Sequence, residues 1–358
     1  MIGTALVVRP DNAGDVLLAG PAVRAVAAGA REVVMLAGPH GRAAAELLPG
    51  VDRVLEWRAP WIDPEPVPMT SEHAARLVEQ VRAVGPDVAV VFTSFHQSAL
   101  PAALLLRLAG VPRIAAISED YPGSLLDVRH VVDESVDVPE PERMLGLARA
   151  AGFDLPPGDD GRLAVRGPLP DVEHLTGPPG YVVVHPGTTA PARAWPAERW
   201  AEAVEALLAA GERVVVTGSP GERALTALVS GPALGSGFPL GSGFPLDLGG
   251  ATTFAELAAV LAGASAVVAA NTGPAHLAAA VGTPVVSLFA PVVPAARWAP
   301  YGVPTVVLGD QGAPCRGSRA RICPLPGHPC LTSIGGEQVV DAVRRLIPAE
   351  EAVKERVP

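Results

Sequence analysis

Residues 266–291, AVVAANTGPAHLAAAVGTPVVSLFAP, constrain the fold more than any other stretch of the chain. An apolar run over 266–270 stops at Asn271-Thr272-Gly273-Pro274, an apolar helix-like segment covers 276–281, and Gly282-Thr283-Pro284 leads into a second apolar run over 285–289. This reads as strand, turn, helix, turn, strand. Strands without polar alternation belong in a parallel sheet covered on both faces. Proline suits the first turn of a helix, where its missing N–H leaves nothing unsatisfied. Asn271, Thr272 and Gly273 are therefore expected between a strand's C-terminal end and a helix N-terminus, where backbone N–H groups attract phosphate. His276 is expected in the first helical turn, facing the same crevice.

The same alternation runs through the rest of the chain. Strands are expected at 5–8, 32–36, 87–92 and 113–117, with helices at 16–28, 71–84 and 98–108. Pro21 stands inside the first of these helices as an irregularity. Residues 156–171, rich in Gly, Pro and Asp, read as an interdomain link. A second series follows, with strands at 181–184 and 213–217 and helices at 196–210 and 254–261. The chain becomes irregular after Pro300 and closes on a helical region over 336–355. Alternating strands and helices predict a doubly wound α/β architecture. The expected domains are 1–168, 169–335 and a C-terminal helical segment, 336–358. Gly235 to Leu240 is repeated at once as Gly241 to Leu246. It reads as a surface loop lengthened by duplication, which costs little.

A length of 358 residues favours two domains. Hydrophobic residues make up 49% and aromatic residues only 4%, so the cores must be built from Ala, Val and Leu. The net charge of −10 argues against nucleic acid as main partner, because phosphate backbones need clustered Lys and Arg. The most apolar stretches are cut by Arg107, Asn271 or Pro284 before reaching the ~18 residues of a membrane span. The start of the chain lacks a basic segment before its apolar run and carries Asp11 and Asp15, unlike a secretory signal. A cytoplasmic protein is expected. Three cysteines are too few for a disulfide scaffold. Cys315, Cys323 and Cys330 lie near His328, yet their spacings are wider than paired zinc ligands and no CxxC occurs. Free thiols are the default expectation, with a structural zinc site on these four residues as the alternative.

Several side chains suit chemistry, each with a plainer alternative. Asp15 ends a glycine-containing loop where a helix begins. It reads as a first-turn carboxylate or as a general base for an acceptor hydroxyl, with Asp11 its nearest rival. Thr188, Thr189 and Arg193 offer hydroxyls, turn amides and a forked cation for a diphosphate, or else a capped loop beside a solvated arginine. Glu222 follows the turn Thr217-Gly218-Ser219-Pro220-Gly221 and is placed either to accept from a ribose or to start a helix. His276 is either packed and satisfied or a donor to a phosphate or sugar. Neither a Walker A motif nor GxGxxG occurs.

Taken together, these stretches resemble the glycosyltransferase family 9 heptosyltransferases. The resemblance rests on Arg9-Pro10-Asp11-Asn12-Ala13-Gly14-Asp15-Val16-Leu17-Leu18, and on His185-Pro186-Gly187-Thr188-Thr189 followed by Arg193-Ala194-Trp195-Pro196 and Trp200. It continues in the turn ending at Glu222, in Asn271 to Ala280, and in Phe289-Ala290-Pro291 with Trp298-Ala299-Pro300. It implies a GT-B fold, two Rossmann-like doubly wound domains facing a central cleft whose closure excludes water. It implies inverting, metal-independent transfer of a heptose from an ADP-sugar to a hydroxyl, with no cofactor. Carried onto this chain, Asp15 is the base, and Arg9, Asp11, Asn12 and Gly14 form the acceptor-side loop. Thr188, Thr189, Arg193, Thr272 and Gly273 hold the diphosphate, Glu222 the ribose, and His276 lies beside diphosphate or sugar. Asn271, also on the donor side, stands where the family usually has Asp. It keeps an acceptor oxygen, gains a donor and loses a charge, which bears on which donor-sugar hydroxyls are read. The acceptor is expected to be a lipid-linked glycan or a soluble small molecule, with at most transient membrane contact. The alternatives are a catalytically silent sugar-nucleotide-binding module, motivated by Asn271, or a GT-B sugar-nucleotide epimerase.

Overall fold

The computed structural model of the protein describes residues 1–231 and 244–347. The chain divides into two compact units, Met1–Arg166 and Gly167–Pro358.

The first unit holds a parallel sheet built from β1 (Ile2–Arg9), β2 (Ala30–Ala37), β3 (Arg53–Glu56), β4 (Val88–Val91), β5 (Ile114–Ile117) and β6 (Val128–His130). Its order is β3-β2-β1-β4-β5-β6. The second unit holds β7 (Tyr181–His185), β8 (Val214–Gly218), β9 (Leu246–Gly249), β10 (Ala264–Ala270), β11 (Val285–Leu288) and β12 (Thr305–Leu308). Its order, β12-β11-β10-β7-β8-β9, is the same winding repeated. In each sheet the chain runs outward from its first strand, then returns to that strand's other side. The strands at the reversal are β1 with β4, and β7 with β10. The carboxyl ends of the strands at such a reversal are the usual ligand site of such sheets. Each unit is thus a doubly wound α/β layer structure, as the alternation of strands and helices leads one to expect.

Burial explains the interior strands. Every residue of β4, β5, β7 and β11 is buried, as continuous Val, Ala, Ile and Leu runs require when helices cover both faces. The four outer strands, β3, β6, β9 and β12, were not anticipated, and the segment after Pro300 is not irregular throughout because it contains β12. These edge strands are mostly half-buried or exposed, so their sequences carry short and mixed patterns.

Helix limits also differ from expectation. The helix expected over 16–28 is two helices, Ala13–Leu18 and Gly20–Gly29, and Pro21 lies in the first turn of the second. A proline there costs no backbone hydrogen bond. The helix Gly273–Ala280 carries Pro274 in its first turn, as the sequence leads one to expect. A helix not anticipated at all, Glu140–Ala150, packs against Gly20–Gly29 in the first unit. The final helix, Gly336–Leu346, packs on Ala197–Ala209. The remainder of its expected span, 348–355, and residues 235–243 of the tandem repeat lie outside the described residues. Among the described residues, no helix is long and apolar enough to cross a membrane.

Candidate functional site

In the first unit the loops at the reversal meet around Arg9. This residue ends β1, and its side chain is fully buried. Its Nε lies 3.3 Å from Asp11 Oδ2, and its Nη2 donates to Asp15 Oδ1 at 3.1 Å and to Ser94 Oγ at 2.9 Å. Ser94 comes from the loop after β4, the strand across the reversal. Gln97 of the same loop donates to Asp11 Oδ1 at 2.6 Å and accepts from the Ser94 amide at 2.9 Å. Two loops from adjacent strands thus lock one charge cluster.

Within that cluster the two carboxylates differ. The Asp11 side chain is 7% exposed and the Asp15 side chain 26%. Burial pushes the Asp11 carboxyl above its ordinary value, with the Asp15 charge adding to that against the pull of Arg9 and Gln97. Burial works to lower the Arg9 guanidinium, but the charges of Asp11, Asp15 and Glu140 outweigh it and raise it. Asn12 stands at the N-cap of Ala13–Leu18 without a side-chain capping bond, Gly14 is buried in that helix, and Asp15 occupies its first turn. Of the expected loop residues, Asp15 is therefore the carboxylate that presents itself, and Arg9 is its buried counter-ion.

In the second unit a pocket of about 330 Å³ lies at the carboxyl ends of the strands. Its lining includes His185, Thr188, Thr189, Glu222, Thr272 and Phe254. Its size falls within the range of small-molecule sites. Thr272 is the N-cap of Gly273–Ala280 but makes no capping bond with its hydroxyl, so that group is not spent on the helix. By contrast Glu222 is engaged locally: its Oε2 accepts from Ser219 N and Oγ, both at 2.8 Å. This capping box fixes the carboxylate so closely against Gly187 that a Cβ there would overlap it. The helix-start role and the pocket role of Glu222 coexist.

Arg193 ends the short 3-10 turn Pro191–Arg193, and its Nη1 donates to the Asn271 carbonyl at 3.4 Å. Two turns from different strands are thereby joined. Asn271 is 4% exposed, and neither its Oδ1 nor its Nδ2 has a hydrogen-bond partner among the described residues. His276 is buried within the Gly273–Ala280 helix.

The turn bearing Arg193 is braced from an unexpected quarter. The Ala192 amide donates to the Arg321 carbonyl at 2.9 Å, and the Ala192 carbonyl lies 3.0 Å from His328 Nε2. Trp195 Nε1 donates to the Leu331 carbonyl at 3.0 Å. The segment carrying the three cysteines is therefore a buttress for this turn. Cys315 and Cys330 are buried in the core, and burial together with the Cys315 thiol pushes the Cys330 thiol up to about 12. Among the described residues, no three His, Cys, Asp or Glu side chains converge to hold a metal ion. Trp195 and Trp200 meet edge to face at 5.0 Å in the core. Their place in the motif is one of packing.

Sequence reasoning missed Ser94 and Gln97, and also the Thr252, Thr253, Phe254 and Leu257 wall of the pocket. Strand order was the missing signal, since only it shows which loops meet at the reversal.

Residues 74–327 match the family model described as Glycosyltransferase family 9 (heptosyltransferase). The chain is 28% identical over 223 residues to lipopolysaccharide heptosyltransferase 3 of Escherichia coli, covering 62% of this chain and 61% of that protein. It is 34% identical over 258 residues to lipopolysaccharide heptosyltransferase 1 of Pseudomonas aeruginosa, covering 70% of this chain and 64% of that protein. The match thus spans less than two thirds of the length of either curated relative. The solved structure of E. coli ADP-heptose lps heptosyltransferase II is similar in fold, with a TM-score of 0.73 at 19% identity, covering 99% of this chain and all of that one.

Proposed function

Because the chain belongs to glycosyltransferase family 9, we propose that it transfers a sugar, heptose by the names of its relatives, from an ADP-sugar to an acceptor hydroxyl with inversion. The observation that carries this reading is the second unit's pocket. There, Thr188, Thr189, Glu222 and Thr272 line one volume at the crossover of the sheet.

The donor's diphosphate would sit at the N-terminus of Gly273–Ala280. The first backbone N–H groups of that helix have no partner within it, and the Thr272 hydroxyl makes no capping bond to it. Arg193, with Thr188 and Thr189, would add positive charge and donors. This charge stabilises the nucleoside diphosphate as it leaves. Glu222 would accept from the ribose, and Asn271 and His276 would lie beside the sugar and diphosphate. Asp15, with one oxygen fixed by Arg9, would take the acceptor's proton as the new glycosidic bond forms on the face opposite the departing diphosphate. Asp11, Asn12 and Gly14 would shape the acceptor side. The acceptor class that fits is a glycan hydroxyl, and the relatives' names point to lipopolysaccharide.

The test pairs a binding screen with a turnover assay. ADP-, UDP- and GDP-sugars are compared by thermal shift, then ADP release and product anomer are followed with glycan acceptors. Stabilisation by ADP-sugars and an inverted product are expected. Stabilisation by UDP- or GDP-sugars alone would overturn the donor class. Donor binding without transfer to any acceptor would favour the silent module that Asn271 raises.

A further inference from the structure

His185 and Thr217 were part of the motifs above but received no role. They stand at the carboxyl ends of adjacent strands, His185 last in β7 and Thr217 next to last in β8: Val184 of β7 pairs with Val216 of β8, which places the next residues side by side. His185 Nδ1 lies 3.0 Å from Thr217 Oγ1, and both residues are buried. Thr217 is fully enclosed, and the imidazole is the partner its hydroxyl has.

A buried hydroxyl whose proton points at nothing is costly. Donation from Thr217 Oγ1 to Nδ1 removes that cost and sets the tautomer. The ring proton then sits on Nε2. With Nδ1 committed, Nε2 is the nitrogen left for an occupant of the pocket that His185 lines. Glu222, whose carboxylate acts electrostatically on His185, lines the same pocket. One group accepts and the other donates, and neither carries a positive charge, since burial pushes the imidazole down to about 4. A phosphate would favour a cation here. A sugar hydroxyl, which both donates and accepts, matches a carboxylate and a neutral N–H.

We propose that His185 is a binding residue of this pocket, donating through Nε2 to a ribose hydroxyl of the donor nucleotide while Glu222 accepts from the same sugar, with Thr217 as the positioning residue. The proposal rests on the nucleotide-sugar reading above and adds to it a contact that discriminates ribose from deoxyribose.

The experiment measures binding of ADP, 2′-deoxy-ADP and 3′-deoxy-ADP by calorimetry to the wild-type chain, His185→Phe and Thr217→Val. His185→Phe keeps an aromatic ring and removes both nitrogens. Thr217→Val keeps the shape and removes the orienting hydroxyl. The wild type is expected to prefer ADP over one deoxy analogue by about tenfold, the worth of one hydrogen bond. His185→Phe should lose that preference by weakening ADP while leaving the analogue's affinity in place. Thr217→Val should show a smaller loss of the same preference, which keeps the test decisive if His185→Phe does not fold. Equal discrimination in wild type and variants overturns the proposal while leaving nucleotide binding intact. Failure of the wild type to bind ADP, with binding of UDP or GDP, overturns the ADP reading alone; the same ribose comparison on that nucleotide then decides the His185 contact. Failure to bind any of the three overturns both.

Discussion

Arg9 Nη2 lies 3.1 Å from Asp15 Oδ1, joining a side chain that is fully buried to one that is 26% exposed. The guanidinium fixes one carboxylate oxygen from within the core. Among the described residues, Oδ2 of Asp15 has no partner. A carboxylate held in this way keeps its orientation without giving up its second oxygen, the geometry that the proposed proton transfer requires.

Replacing Asp15 by Asn preserves shape and one acceptor oxygen while removing the proposed base. Turnover should fall by about 10²–10⁴-fold, read as ADP release, while ADP affinity stays within a factor of two. Unchanged turnover would move the base elsewhere, with Asp11 the first alternative.

Arg9→Met should destabilise the first unit rather than merely slow the reaction. Its removal leaves Asp11, buried and 3.3 Å from Arg9 Nε, without its counter-ion. Breaking a buried pair from one side costs about 3–5 kcal/mol. Urea denaturation at neutral pH should show that loss, and a change below about 1 kcal/mol would contradict the cluster's electrostatics.

Gly187→Ala places a Cβ where the Glu222 carboxylate lies. Either the turn or the Ser219–Glu222 capping box must yield. Overpacking of this kind costs about 1–3 kcal/mol. A lower melting temperature and weaker ADP binding are expected together. If the variant binds ADP as tightly as wild type, Glu222 is not a pocket residue in any functional sense.

Arg193→Ala should weaken ADP about 10- to 100-fold, the range for a charge-assisted hydrogen bond, and adenosine far less. Calorimetry at two salt concentrations checks this, because a lost cation also flattens the salt dependence. Equal losses for ADP and adenosine would place Arg193 away from the phosphates.

His185 also predicts a pH dependence of stability. Its folded pKa, about 4, is below the ordinary histidine value of 6.5. Between these values the unfolded chain binds a proton that the folded chain refuses. Stability from this group is therefore complete above pH 6.5 and is lost as pH falls towards 4. The slope is at most about 1.4 kcal/mol per pH unit. His185→Phe should be flatter than wild type across that window in denaturant titrations. Parallel curves would show that the imidazole charges freely in the folded state.

The interior of both sheets was legible because their environment leaves one solution. Runs such as Val182-Val183-Val184 and Val267-Val268-Ala269-Ala270 can be buried on both faces only in central parallel strands. The turns at their ends, with Pro274 opening a helix, follow from backbone chemistry alone. Arg53–Glu56, Val128–His130, Leu246–Gly249 and Thr305–Leu308 were not legible. An edge strand has a neighbour on one side only, so half-exposed residues suffice and the apolar pattern fades.

What the sequence by itself determined, then, is local: which segments must be buried, where helices may begin, and which small or polar residues stand at strand ends. Only the tertiary structure decided which of those ends meet. Strand order set the loop of Ser94 and Gln97 against Arg9 and Asp11. It also set His185 beside Thr217 and Glu222 beside Gly187. Such pairings join residues far apart along the chain, and hydrophobic patterning carries no information about them, because burial is satisfied equally well by any neighbour of the right shape.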